Sequence, residues 1–194
     1  EKEYKDSTRF HLVKANLLDA QGNSSLAIPE YDRALQLSKT NTEAYVNRGA
    51  VYYRLGSYNE ARLDFETAVA LDPAQPQALN NLGLIATKQK QWPQAIAYFD
   101  QVLSRDPAEP YSLNNKAYAL LQTGRPEEAR TLIEKSLDKL PKNGYALRNL
   151  GMYYQQRGNI SEALNAYNKA IEIAEPVELL YGLAAVKYGG RESC

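Results

Sequence analysis

The chain has 194 residues, 44% hydrophobic and 24% charged, an ordinary globular balance that excludes disorder over most of its length. Lys plus Arg number 23 and Asp plus Glu number 23, so the formal net charge is zero and no global field favours nucleic acid or anionic lipid. The apolar stretches are short and interrupted by Asn, Gln, Arg or Glu, well under the length that spans a bilayer, and the single cysteine, Cys194, excludes an intramolecular disulfide.

Residues 1–7 read as an N-terminal extension. Glu1-Lys2-Glu3-Tyr4 lacks the charged start and apolar run of a signal peptide. The expected setting is aqueous, the cytoplasm ahead of a periplasmic or lipid-anchored site that a removed leader would imply.

From Thr8 onward the chain repeats itself. An offset of 34 aligns Ala27, Ala61, Ala95, Ala129 and Ala163 without a gap, and in the same register Tyr31, Phe65, Phe99, Ile133 and Tyr167. It also aligns Ala34, Ala68, Val102, Ser136 and Ala170, and then Ala15, Gly49, Gly83, Ala117 and Gly151. Five units of that length follow, at 8–41, 42–75, 76–109, 110–143 and 144–177.

Each unit reads as two helices and a turn. In the unit 8–41, His11, Lys14 and Lys39 depart most from the columns, and Pro29 falls inside the second helix, where its missing N–H predicts a late start or a kink. In the unit 42–75, Tyr45, Arg48, Gly49 and Tyr52 share one helical face by their i, i+3, i+4, i+7 spacing, and Ala61, Phe65 and Ala68 share a second. Gly22, Gly56, Gly124 and Gly158 occupy the turn, where a helix ends on a left-handed residue. Small residues on both helices allow the backbones to approach, and the aromatic column fills the space beside them.

Prolines punctuate the later units. Pro73, Pro107 and Pro141 stand just beyond second helices, and Pro76, Pro93, Pro110 and Pro126 at helix starts, where the lost donor costs little. After the fifth unit, Glu178–Tyr188 repeats the first-helix pattern and Gly189-Gly190 ends it, so 178–190 reads as a capping helix that covers the last apolar face, with 191–194 a disordered tail.

The series Tyr45, Gly49, Tyr52, Ala61, Phe65, Ala68, Pro73, with its period of 34, resembles the tetratricopeptide repeat family over residues 8–177. The resemblance implies an all-α fold, a right-handed α-solenoid of five helix-turn-helix units plus the C-terminal capping helix, whose first helices line a concave groove. It also implies a non-catalytic scaffold for protein–protein interaction.

Nothing in the residues points to catalysis. His11 is the only histidine and the repeats contain no cysteine, so metal-ligand and histidine-based nucleophile arrangements cannot be assembled. Glu127-Glu128 complements a helix start, the glycines form no phosphate loop, and Trp92 reads as packing between adjacent hairpins. No cofactor and no metal are expected.

The informative column is the sixth position, Val13, Asn47, Asn81, Asn115 and Asn149. It lies off the seam between helices, so the asparagines are expected to form a ladder along the groove, where a carboxamide suits the N–H and C=O of an extended backbone. The alternative is an amide that caps or bridges hairpins. Asn80, Asn114, Arg148, Tyr111, Tyr145, Tyr118 and Met152 complete the expected groove, with Arg54 and Lys88 further along. Tyrosine supplies contact area at low entropic cost.

The expected partner is a protein or peptide, in an extended segment, or a second copy of the chain in a homo-oligomer. The fork of lysine, asparagine and arginine that captures chaperone tails in this family is missing: Leu12, Asn16, Gln77 and Asn81 stand at its positions. An RNA-binding helical repeat is the alternative of another class, since polar side chains on first helices can read bases. Zero net charge argues against it, because backbone phosphates must be neutralised.

Overall fold

The computed structural model describes residues 7–173, and the capping helix and tail expected after the fifth unit lie outside them. Among the described residues there are ten helices and no strand. They are α1 (Thr8–Ala20), α2 (Ser24–Leu37), α3 (Thr42–Arg54), α4 (Tyr58–Leu71), α5 (Pro76–Lys88), α6 (Trp92–Leu103), α7 (Pro110–Gln122), α8 (Pro126–Lys139), α9 (Gly144–Gln156) and α10 (Ile160–Ile173). First helices start one period apart, and so do second helices, as the columns predict. The chain divides into two compact units, with the division inside α5 between Ile85 and Ala86.

The first unit holds α1–α4 and most of α5. Its core is built from Leu12 and Ala15 on α1, Ala27, Tyr31, Ala34 and Leu35 on α2, and Ala44 and Val51 on α3. In the second unit Ala117, Leu120 and Leu121 on α7 meet Ala129 and Ile133 on α8 and Ala146 and Tyr153 on α9. The five alanines of the all-alanine column are fully buried, at 0% exposure.

The closeness of the helix pairs is measurable at the glycines. A Cβ built on Gly49 would lie 2.9 Å from Cε1 of Phe65, and one on Gly151 would lie 2.7 Å from Cε1 of Tyr167. Both rings are buried. Ala117 stands in the same column where its sister helix carries Ile133 in place of a ring. The first hairpin keeps Ala15 and Tyr31, both buried, and so accommodates a methyl that hairpins two and five do not.

Helix ends follow the sequence signals, with one addition. Gly22, Gly56, Gly124 and Gly158 have φ between 72° and 80°, and Lys90 takes the same place in the third repeat with φ 58°, a conformation that costs an L-residue. Ser7, Asn41 and Asn143 cap α1, α3 and α9 through side-chain acceptors. Pro29 produces no late start: α2 begins at Ser24, the position equivalent to Tyr58 of α4. The proline removes a single N–H, whose helical acceptor would be the carbonyl of the exposed Ser25.

Two ionic clusters tie helices together in the first unit. Arg48 on α3 donates Nε and Nη2 to Oδ2 and Oδ1 of Asp64 on α4 at 2.8 and 2.6 Å, and Nη1 to Oδ1 of Asp32 on α2 at 2.5 Å. Burial pushes the Asp64 carboxyl up against the downward pull of Arg48, while the bond to Asp64 holds the guanidinium firmly charged. At the other cluster His11 Nδ1 lies 2.6 Å from Glu30 Oε2 and Lys14 Nζ 2.6 Å from Oε1, so the two residues that break the columns on α1 both serve α2. The Lys14 bond, helped by His11, draws the Glu30 carboxyl below its ordinary range against the upward push of burial.

Gly151→Ala is expected to destabilise the protein by about 1–3 kcal/mol through overpacking against Tyr167, despite the helix propensity of alanine; urea denaturation measures it, and a gain in stability would contradict the close approach. Lys90→Gly is expected to raise stability by up to about 1 kcal/mol by relieving the left-handed backbone, read as a higher melting temperature.

Candidate functional site

The residues expected to line a groove come from the first helices, and the two units are taken separately. In the first unit, Asn47 on α3 donates Nδ2 to Asn16 Oδ1 on α1 at 3.0 Å. The same oxygen accepts the Tyr31 hydroxyl at 2.7 Å. Arg54, at the end of α3, is ion-paired with Asp19 of α1. Asn80 and Asn81 are half-buried on α5, and Asn81 donates Nδ2 to the Gln77 carbonyl of its own helix at 2.9 Å.

In the second unit the amides form a directional chain. Arg148 Nη2 donates to Asn149 Oδ1 at 3.1 Å, Asn149 Nδ2 donates to Asn114 Oδ1 at 2.6 Å and to the Asn114 carbonyl at 3.2 Å, and Asn114 Nδ2 donates to Asn115 Oδ1 at 3.3 Å. Asn149 is 0% exposed and Asn114 is 4% exposed.

Two of the sixth-position asparagines expected along the groove, Asn47 and Asn149, instead take the alternative, an amide that bridges hairpins. Asn149 and Asn114 are buried and use their amides on each other, linking α9 to α7, and Asn47 links α3 to α1. The physical reason is that a buried carboxamide must satisfy its donors and acceptor locally. A neighbouring first helix offers the partner. Asn114 and Asn149 are 35 residues apart, one more than the period, so the repeat columns do not reveal the pair.

Of the expected groove residues on α7 and α9, the exposed ones are the tyrosines at equivalent positions. Tyr111 on α7 and Tyr145 on α9 hold equivalent positions and are 55% and 43% exposed. Tyr118, Arg148 and Met152 are half-buried and Lys88 is exposed. The Arg148 guanidinium lies with its carbon 5.2 Å from the ring centroid of Tyr118 and 5.9 Å from that of Tyr145, distances at which the ring faces attract the cation. Trp92, the first residue of α6, packs edge-on against Tyr118 with centroids 6.1 Å apart, in keeping with the expected contact between hairpins. Met152 packs into the core beside Tyr153 and Tyr167. Arg148, its two tyrosines and the amides behind it are thus brought together by α7 and α9.

Among the described residues, no group of His, Cys, Asp and Glu could hold a metal ion. No helix among them is long and apolar enough to cross a membrane.

Three sequence models of the tetratricopeptide repeat match the chain, at residues 15–56, 46–110 and 106–175. The chain belongs to the tetratricopeptide repeat family. Among solved structures it is similar to YrrB, described as a TPR protein with an unusual peptide-binding site, at 26% identity and a TM-score of 0.70 over 96% of this chain and 95% of that one. It shares its fold with PilW, a type IV pilus biogenesis factor (19% identity, TM-score 0.80, 94% of this chain and 89% of that one). The fold is also that of TTC0263, a thermophilic TPR protein of Thermus thermophilus (20% identity, TM-score 0.75, 93% and 98%). No curated protein matches the sequence.

The hydrogen-bond pattern gives opposite expectations for two asparagines of one column. Asn149→Ala strands the buried Asn114 oxygen and is expected to cost about 1–3 kcal/mol, whereas Asn81→Ala removes only a bond to its own helix and should stay within about ±0.5 kcal/mol. Thermal melts of the two variants side by side check this, and equal losses would contradict the difference in their surroundings.

Proposed function

We propose that the chain is a non-catalytic interaction module that holds a polypeptide segment against the first-helix face of its repeats. The observation that carries this reading is the pair Tyr111 and Tyr145, large amphipathic side chains left 55% and 43% exposed at equivalent positions of α7 and α9. Tyrosine in such a setting gives rigid contact area and a polar tip, the combination favoured where polypeptides meet. The likeness to YrrB, with its peptide-binding site, runs across nearly the whole of both chains and supports the same role.

The amides divide between two tasks in this reading. Asn114 and Asn149 hold α7 and α9 in register, and the half-buried Asn115 of the same unit is the member of the column that meets a partner's backbone. A carboxamide there recognises main-chain groups without selecting a side chain, so sequence preference comes from the tyrosines and Arg148.

A random peptide library displayed on phage and selected on the immobilised protein supplies ligands for the test. Tyr111→Ala with Tyr145→Ala is expected to weaken the selected peptides by about tenfold or more for each tyrosine, with the melting temperature unchanged. Calorimetric titration reads the affinity. Peptides that bind the folded double variant as tightly as the parent would remove this face from the proposal.

A further inference from the structure

α7 and α9 contain no aspartate or glutamate, and Lys116 and Arg148 are their only charged residues. Lys116 is answered by Asp100 of α6, Nζ to Oδ1, at 2.5 Å. Other cations of this unit find acids too: Arg125 pairs with Glu128, Arg130 with Glu134 and Arg157 with Glu127. Arg148 does not. Its partners are the neutral Asn149 and the rings of Tyr118 and Tyr145.

Among the described residues, Arg148 Nε is the one buried side-chain nitrogen or oxygen without a hydrogen-bond partner. A guanidinium cannot shed its proton to escape this cost. Nor does Tyr167 supply a counter-charge: burial dominates and pushes its phenol up to about 12 against the downward pull of Arg148, leaving it neutral. The group is therefore a partly desolvated positive charge, oriented by two rings and by an amide itself anchored on Asn114, with no anion among the described residues.

We propose that Arg148 is the receptor for the side-chain carboxylate of an aspartate or glutamate within the bound segment. This rests on the peptide-holding role proposed above and adds its charge specificity. A planar guanidinium matches a carboxylate in shape as well as charge, and the pair is strongest where water is partly excluded. Exposed Tyr145 stands beside Arg148, and exposed Tyr111 holds the equivalent place on α7. Contact area away from the arginine fits an acid inside a segment in preference to a chain terminus.

The test uses short phage-selected peptides, resynthesised with amidated C-termini, on the full chain. Selected peptides are expected to carry Asp or Glu at a recurrent place. Changing that acid to Asn or Gln should weaken binding about tenfold on the parent protein and hardly at all on Arg148→Gln. Arg148→Lys, which keeps the charge and loses the planar fork, should fall between. Because the decisive change is made in the peptide, a poorly folded Arg148 variant leaves the parent measurement standing. Peptides that need Tyr111 and Tyr145 but tolerate loss of the acid overturn this inference and leave the interaction face intact. Binding that disappears on amidation of the C-terminus overturns the side-chain assignment, and binding indifferent to the tyrosines overturns the face and this inference together.

Discussion

Close approach of two helix backbones within a hairpin, measured at Gly49 and Gly151, is the constraint on which the rest of the structure depends. A fully buried alanine column on the second helices, and glycines whose Cβ would lie within 3.0 Å of a ring on the facing helix, bring the pairs to their spacing. Interiors packed at this density tolerate little change in volume. The aromatic column is the complement of that spacing, since Phe65 and Tyr167 fill the space that Gly49 and Gly151 leave empty. Repetition of the columns then carries this means of closure, with local variation, from hairpin to hairpin within a unit.

Polar ties complete what the apolar columns begin. Arg48 reaches two carboxylates on α2 and α4, and Asn149 reaches Asn114 across α7 and α9. Removing one member of such a pair leaves the other buried and unsatisfied, so the ties specify which neighbour a helix takes more than they add to net stability. Asn149 shows how a residue type suited to binding a partner's backbone is taken up by the protein's own interior.

The same satisfaction of polar groups defines what is left for a partner. First helices α7 and α9 present tyrosines and an arginine with no acid among them, while the charges of the second helix α8 include pairs within that helix or its flank, Arg125 with Glu128 and Arg130 with Glu134. A surface whose side chains are already paired offers little to a ligand. One that retains an exposed ring beside a guanidinium with no acid among the described residues is suited to the partner proposed above.

The fold was legible in the sequence because its determinants are local and periodic. The alanine, aromatic and turn-glycine columns predict the period at which the helices recur, and even Lys90 sits where that period calls for a left-handed residue, though its side chain gives no such signal. The late start that Pro29 suggested does not occur, since one lost donor beside an exposed residue does not delay a helix. The site was legible only as a set of side chains on first helices. Sequence spacing along one helix cannot say which amide meets which across helices, so Asn47, Asn149 and Asn114 were expected along the groove until packing brought Asn16 and each other within reach. The sequence alone determined where each helix begins and which face it buries, because those depend on neighbours three and four positions away. Tertiary structure alone decided which polar groups are consumed and which remain, because hydrogen bonds and burial depend on groups about a whole repeat distant along the chain.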